Sequence, residues 1–224
     1  MKEPKEVKSK LVVFLFVCFI PQFVVAQTND TLRYKGFLFT SRPVPEAVKT
    51  RMQGKSMPKT ATVSYDELRY LTVFHYDYDG HIRKGELVCN KAIAHDLLCI
   101  FRALFSRAYP INSIRLVDDF DASDEASMQA NNTSCFNYRT VARSKTLSKH
   151  AFGMAVDINP LENPYVKGSF VQPSTATIFV DRNKDFPHKI DETDFCKEVF
   201  ESFGFLWGGS WRSVKDYQHF EKRK

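Results

Sequence analysis

The chain alternates short apolar runs with polar, proline-marked stretches, and the spacing of its apolar positions predicts its elements. LTVFHYDY, starting at Leu71, gathers β-branched and aromatic residues, Asp79-Gly80 is a turn signal, and GELVC returns. This pattern predicts an antiparallel hairpin. In KAIAHDLLCIFRALFSRAY, Ile93, Leu97, Ile100, Phe101, Leu104 and Phe105 recur at helical spacing, with Asn90 as a cap and Pro110 as a stop. INSIRLVDDF reads as a further strand, and MAVDI as another that ends at Asn159-Pro160. A second helix is predicted to open at Asp191 or Thr193, with Phe195, Val199 and Phe203 inward and Gly204 at its C-terminal end.

The polar stretches fill in the organisation. Residues 27–62 are basic and broken by Pro43, Pro45 and Pro58, which predicts an N-terminal arm wrapping the domain. DASDEASMQANNTSCFNYRTVARSKTL reads as a long functional loop, and residues 160–190, with four prolines, as an irregular excursion. No repeat and no linker interrupts residues 63–224. The expected fold is α+β: a single compact domain with a small antiparallel sheet and flanking helices.

Residues 1–26 read as a signal peptide. The lysine-bearing MKEPKEVKSK precedes the apolar LVVFLFVCFI, and Val24 and Ala26 occupy the small-residue cleavage positions. Pro21 and Gln22 leave the apolar run short for a stable membrane span. Export is therefore expected. Cleavage would remove four Lys and two Glu, taking the net charge from +6 to +4. So small a surplus, with no nucleic-acid motif, gives no reason to expect a nucleic-acid partner. Cys89, Cys99, Cys135 and Cys196 would remain, either as buried thiols or with one bridge, and none forms the C-x-x-C pair of a structural zinc site.

The candidate chemistry lies in SKHAFGMAVDINP and DYQHFE. A turn at Gly153 could bring His150 beside Asp157, and His219 could supply a third donor, the number that leaves catalytic zinc an open position. Asp216 would stand close enough to act as a base toward water. Singly, each residue has a plainer reading: a packed histidine, a strand-ending turn former, a surface charge beside Lys215.

Taken together, S-x-H-x-x-G-x-A-x-D (Ser148, His150, Gly153, Ala155, Asp157) followed by D-x-x-H (Asp216, His219) resembles the zinc D-alanyl-D-alanine carboxypeptidase family, VanY-like, in the subgroup that also contains phage endolysins. NNTSCFNYR, INPLENPY and WGGSW resemble that subgroup too. The resemblance implies a hedgehog/DD-peptidase-like fold with the zinc site at its sheet. It implies His150, Asp157 and His219 as zinc ligands, Asp216 as general base, and Arg139 as the residue that contacts substrate and steadies the oxyanion. The plainer reading of Arg139 is a structural ion pair. Ser148 either contacts substrate or bonds its own turn. Asp rather than Glu at position 216 resembles the branch of L-alanyl-D-glutamate endopeptidases.

The resulting expectation is an exported zinc peptidase acting on peptidoglycan stem peptides in the periplasm, cell envelope or surroundings of a bacterium. Carboxypeptidase action on D-alanyl-D-alanine comes first, with the endopeptidase as alternative. Two rivals are a non-catalytic zinc-containing wall-binding module and a thiol enzyme using Cys135 beside His150. His75, His81, His95 and His188 are expected to be exposed or structural, and the Asn131/Asn132 sequons part of an active-site loop. Asp118, Asp119, Asp121 and Asp124 are expected to form a solvated acidic loop, and Trp207 and Trp211 to be core and rim aromatics.

Overall fold

Aromatic side chains organise the first half of the molecule. The computed structural model describes residues 30–142 and 144–223, so the signal peptide expected at 1–26 lies outside the described residues. β1 (Asp30–Tyr34) and β2 (Phe37–Arg42) form a hairpin, and α1 (Glu46–Met52) follows. β3 (Leu68–Tyr76) and β4 (Ile82–Asn90) form the expected second hairpin, completing an antiparallel sheet in the order β1-β2-β3-β4. Its turn is held by Asp77, whose Oδ1 accepts from the backbone N–H of Asp79 and His81 and whose Oδ2 meets Arg83 Nε at 2.6 Å. Asp77, Asp79 and His81 also lie close enough to share a cation, but this bonding already occupies both Asp77 oxygens.

The helix α2 (Ala94–Ser106) lays its apolar stripe across this sheet. Phe105 is the focus, with its ring 5.1–6.4 Å from those of Tyr34, Phe37, Phe39, Phe74 and Tyr76. Residues 30–62, expected as an arm, thus supply two strands of the sheet. Val44, Val48, Met52, Met57 and Val63 then build a second apolar cluster against Leu68 and Val88. The proline punctuation hid two five- to six-residue alternations, too short for periodicity to announce.

The second half is built from very short pieces. β5 (Ser113–Ile114) pairs in parallel with β6 (Asn132–Thr133), and α3 (Asp124–Gln129) lies between them, with Ser123 Oγ capping Ala126 N. β7 (Ala155–Asp157) is the predicted MAVDI strand. β8 (Tyr165–Lys167) and β9 (Phe170–Gln172) give order to the excursion after it. α4 (Phe195–Ser202), β10 (Leu206–Trp207), β11 (Lys215–Asp216) and β12 (His219–Glu221) finish the chain. Two small antiparallel sheets result, in the orders β10-β12-β7 and β11-β8-β9. This is an α+β fold with small antiparallel sheets and few helices.

Several expectations shift. INSIRLVDDF yields only the two residues of β5, because Val117–Phe120 closes into a 3₁₀ turn. Asn90 bonds Ala92 N rather than capping α2, which starts beyond Ile93. The second helix is capped by Asp194, so its buried face is Cys196, Val199 and Phe200, with Phe195 and Phe203 half-buried at its edges. Gly204 ends it as predicted, at φ +77°, through the paired bonds Gly204 N–Glu201 O and Phe205 N–Phe200 O. The acidic loop is paired, and of its four carboxylates only that of Asp121 stays largely exposed to solvent as expected. Asp118 accepts from Ser56 N and Oγ, Asp119 pairs with Arg51 and Arg115, Asp121 with Lys55 and Asp124 with Arg139. Asn131 and Asn132 are buried and bonded to Glu162 and Ser127, so they belong to the scaffold. All four described cysteines are free thiols.

Candidate metal centre

β12 joins the core to the site through the two-residue period of a strand. Phe220 points inward and stacks on Phe200 of α4, with ring centroids 4.3 Å apart. His219 and Glu221, on either side of it, face the opposite way. Across the ladder His219 stands directly opposite Asp157 of β7, the position from which cross-strand side chains meet. Asp157 is also fixed on its other side, exchanging backbone hydrogen bonds with Ser134.

His150 arrives on the 3₁₀ turn Lys149–Phe152. Ser148 Oγ accepts from His150 N, and Gly153 closes the turn at φ +64°. A Cβ on Gly153 would come within 2.6 Å of Asn90 N and 3.0 Å of the Cys89 carbonyl carbon. Glycine is therefore needed for the turn and for its approach to β4. Ser148 bonds its own turn and also borders the cleft.

The three expected donors come together as one buried group. His150 Nε2 lies 3.2 Å from Asp157 Oδ2 and 3.2 Å from His219 Nδ1, and His219 Nδ1 lies 3.1 Å from Asp157 Oδ1. A tetrahedral ion with bonds of about 2.0–2.1 Å sets its donors roughly 3.3 Å apart. The outer nitrogens fix the tautomers. His150 Nδ1 lies 2.6 Å from the carbonyl oxygen of Cys135, which can only accept, so that nitrogen carries the hydrogen. His219 Nε2 donates toward Glu221 Oε2 at 3.2 Å. With both outer nitrogens committed, the inner nitrogens turn to one another and to a carboxylate, an arrangement that a bound cation or a proton on His219 relieves. In these surroundings the carboxylates hold a proton on His219, raising its pKa to about 10 against the opposing effect of burial. Asp157 is driven far below the usual carboxylate range by the two imidazoles, burial notwithstanding. The residues present fit a metal ion.

Glu221 was missed in the sequence. The signal was its i+2 spacing from His219 in a strand, which puts both on one face.

Asp216 sits on β11 with its Oδ2 4.0 Å from His219 Nδ1, beside the trio rather than within it. Burial pushes its pKa up to about 6, with a further push from Asp157, while the histidines pull it down. Gly208 permits this packing, since a Cβ there would meet Asp216 O at 2.6 Å and His219 Cβ at 3.3 Å. Arg139 Nε lies 2.8 Å from Asp124 Oδ1, an ion pair without the alignment of a hydrogen bond. The cleft these residues share encloses about 150 Å³ and is also bordered by Tyr165, Trp211 and Gln218. Trp211 reaches it as a rim aromatic, 5.3 Å ring to ring from His219. Trp207 is core, its indole N–H on Tyr217 O. His75 is buried on the Ile111 carbonyl oxygen and His188 stacks on Tyr78, both structural as expected.

Among the described residues, the buried side-chain N and O atoms without a hydrogen-bond partner are Arg139 Nε, Asp216 Oδ1 and Gln218 Oε1. All three belong to this cleft. A buried polar atom left without any partner costs a fold about 1–3 kcal/mol, so Asp216 Oδ1 and Gln218 Oε1 call for a water or a ligand from the cleft. The thiol alternative fails here: Cys135 Sγ is buried against Gly153 O, and burial pushes its pKa well above the ordinary thiol value.

Fold and site together define a cleft with a buried His/Asp/His donor set. Residues 142–222 match the family model described as D-alanyl-D-alanine carboxypeptidase. The matched span holds Ser148, the three donors, Asp216 and Glu221, and begins three residues after Arg139. No curated protein and no solved structure matches the chain. No helix among the described residues is long and apolar enough to cross a membrane.

Proposed function

We propose that this protein is an exported zinc peptidase that hydrolyses peptidoglycan stem peptides, removing a terminal D-alanine. The observation that carries this reading is the convergence of three buried donors whose outer nitrogens are already committed. His150, Asp157 and His219 would hold the ion. When bound, zinc supplies Lewis acidity that polarises a carbonyl and acidifies water. Asp216, with its pKa raised toward neutrality, takes the proton of the attacking water and returns it to the leaving amine. Arg139, which borders the cleft with its Nε paired to Asp124, would offer a guanidinium N–H to the oxygen on which negative charge develops. Ser148 keeps the His150 turn in place. The family match supports the substrate class, and the apolar leader at 1–26 supports export. A purely structural zinc site would need neither a base nor a guanidinium with spare valence beside it.

The test is to measure zinc by elemental analysis and to digest purified muropeptides, reading the products by mass. Expected are close to one zinc per chain, release of D-alanine, and loss of both in His150→Ala. Full hydrolysis by metal-free protein would overturn the zinc reading. Fragments cut between L-alanine and D-glutamate would replace the carboxypeptidase by the endopeptidase that Asp216 also suits.

A further inference from the structure

Gln218 separates the base from the His219 donor along the chain, yet neither holding a metal nor moving a proton needs it. The residue is only 2% exposed, and its backbone is fixed by the bond from Ile158 N to Gln218 O. The amide orientation follows from its neighbours. Nε2 lies 3.4 Å from Met128 Sδ, which has no hydrogen to give, and the Asp216 carboxylate, which the Gln218 side chain also hydrogen-bonds, likewise favours N–H over oxygen. Oε1 is therefore the atom left over, buried, bordering the cleft and without a donor.

The three atoms differ in their needs. Arg139 Nε already faces Asp124 at 2.8 Å, which leaves Asp216 Oδ1 and Gln218 Oε1 each in need of a hydrogen. Water can meet Asp216. Gln218 Oε1 is then left needing a donor, and the N–H of a peptide group is one. We propose that Gln218 is a substrate-positioning residue whose Oε1 accepts a backbone N–H of the bound peptide, so that the cleft selects amide chains over otherwise equal esters. This rests on the peptidase reading. It adds a recognition element that the donor set and base do not contain. A buried acceptor discriminates strongly, because a substrate lacking the N–H leaves it unpaired.

The test uses the zinc-loaded full chain and a synthetic stem peptide ending in D-alanyl-D-alanine, with each backbone N–H replaced in turn by an ester oxygen. In the native protein, one replacement is expected to lower kcat/KM at least tenfold more than the others. Gln218→Met, which keeps length and loses the acceptor, should lose a similar factor on the parent peptide and show no extra loss on that one analogue. Gln218→Glu, which keeps an acceptor, should retain the selective loss, and this arm stands even if the methionine variant folds poorly. If Gln218→Met keeps the same selective loss on that one analogue as the native protein, with zinc content and melting temperature unchanged, the inference is overturned while the peptidase reading stays intact. No hydrolysis of the parent peptide by the native protein would overturn both.

Discussion

The β1–β4 sheet with α2 and the cluster of two- and three-residue strands around His219 are held together in different ways. The first is a slab of interlocking rings, with Phe105 at its centre and no chemistry on its inner face. The second has little regular structure, and polar side chains decide its geometry: Asp157 between two imidazoles, His150 on a carbonyl, His219 on a carboxylate. Packing can be lost in increments. A donor trio is present or absent, and the contrast between the halves can be tested by damaging each alone.

The largest effect is expected from Asp216→Asn, which keeps shape and removes the base. Turnover should fall about 10²–10⁴-fold, the usual worth of a positioned proton acceptor, while bound zinc stays near one per chain. Steady-state kinetics with metal analysis checks it, and full activity would remove Asp216 from the chemistry. Phe105→Ala should be the mirror image, costing about 3–5 kcal/mol in chemical denaturation while the folded fraction keeps its metal. Loss of metal in folded Phe105→Ala protein would show that the slab controls the site more tightly than the contacts suggest.

Two smaller changes sharpen the comparison. Glu221→Ala should weaken zinc about 10–100-fold in a competitive chelator titration, because His219 would lose the partner that orients its ring. Asp77 governs only the hairpin turn. Arg83 and the turn's N–H groups depress its pKa from 3.8 to about 2. Its charged form therefore contributes stability that is fully present above about pH 4 and lost as pH falls through 2. Asp77→Asn should flatten that limb of the stability profile in urea titrations between those values, leaving zinc affinity at pH 7 unchanged.

The two halves were also unequally legible in the sequence. Period-2 and period-3.6 patterns announced the β3–β4 hairpin and α2, because each runs for nine residues or more and buries one face. The small strands could not announce themselves: two residues have no period. His150, Asp157, Asp216 and His219 were readable as chemistry from residue type and spacing. Their meeting depended on the β7–β12 register, which no local pattern states. Glu221 and Gln218 escaped for the same reason, since what sets them apart is which way each strand residue faces. The β1–β2 hairpin was hidden by prolines that lie just outside it.

The approach of Gly153 to the Cys89–Asn90 backbone has a mechanical consequence. It is a main-chain against main-chain stop, reinforced by Asn90 N on Gly153 O at 2.8 Å. The His150 turn therefore takes its position from the end of β4, through this stop and through Asn90 Nδ2, which donates to Phe152 O at 3.0 Å. Aromatic residues beneath β4 can drift in size or identity without the imidazole registering the change, as long as the strand itself stays in place. A single methyl group on Gly153 would move the datum against which the site is set.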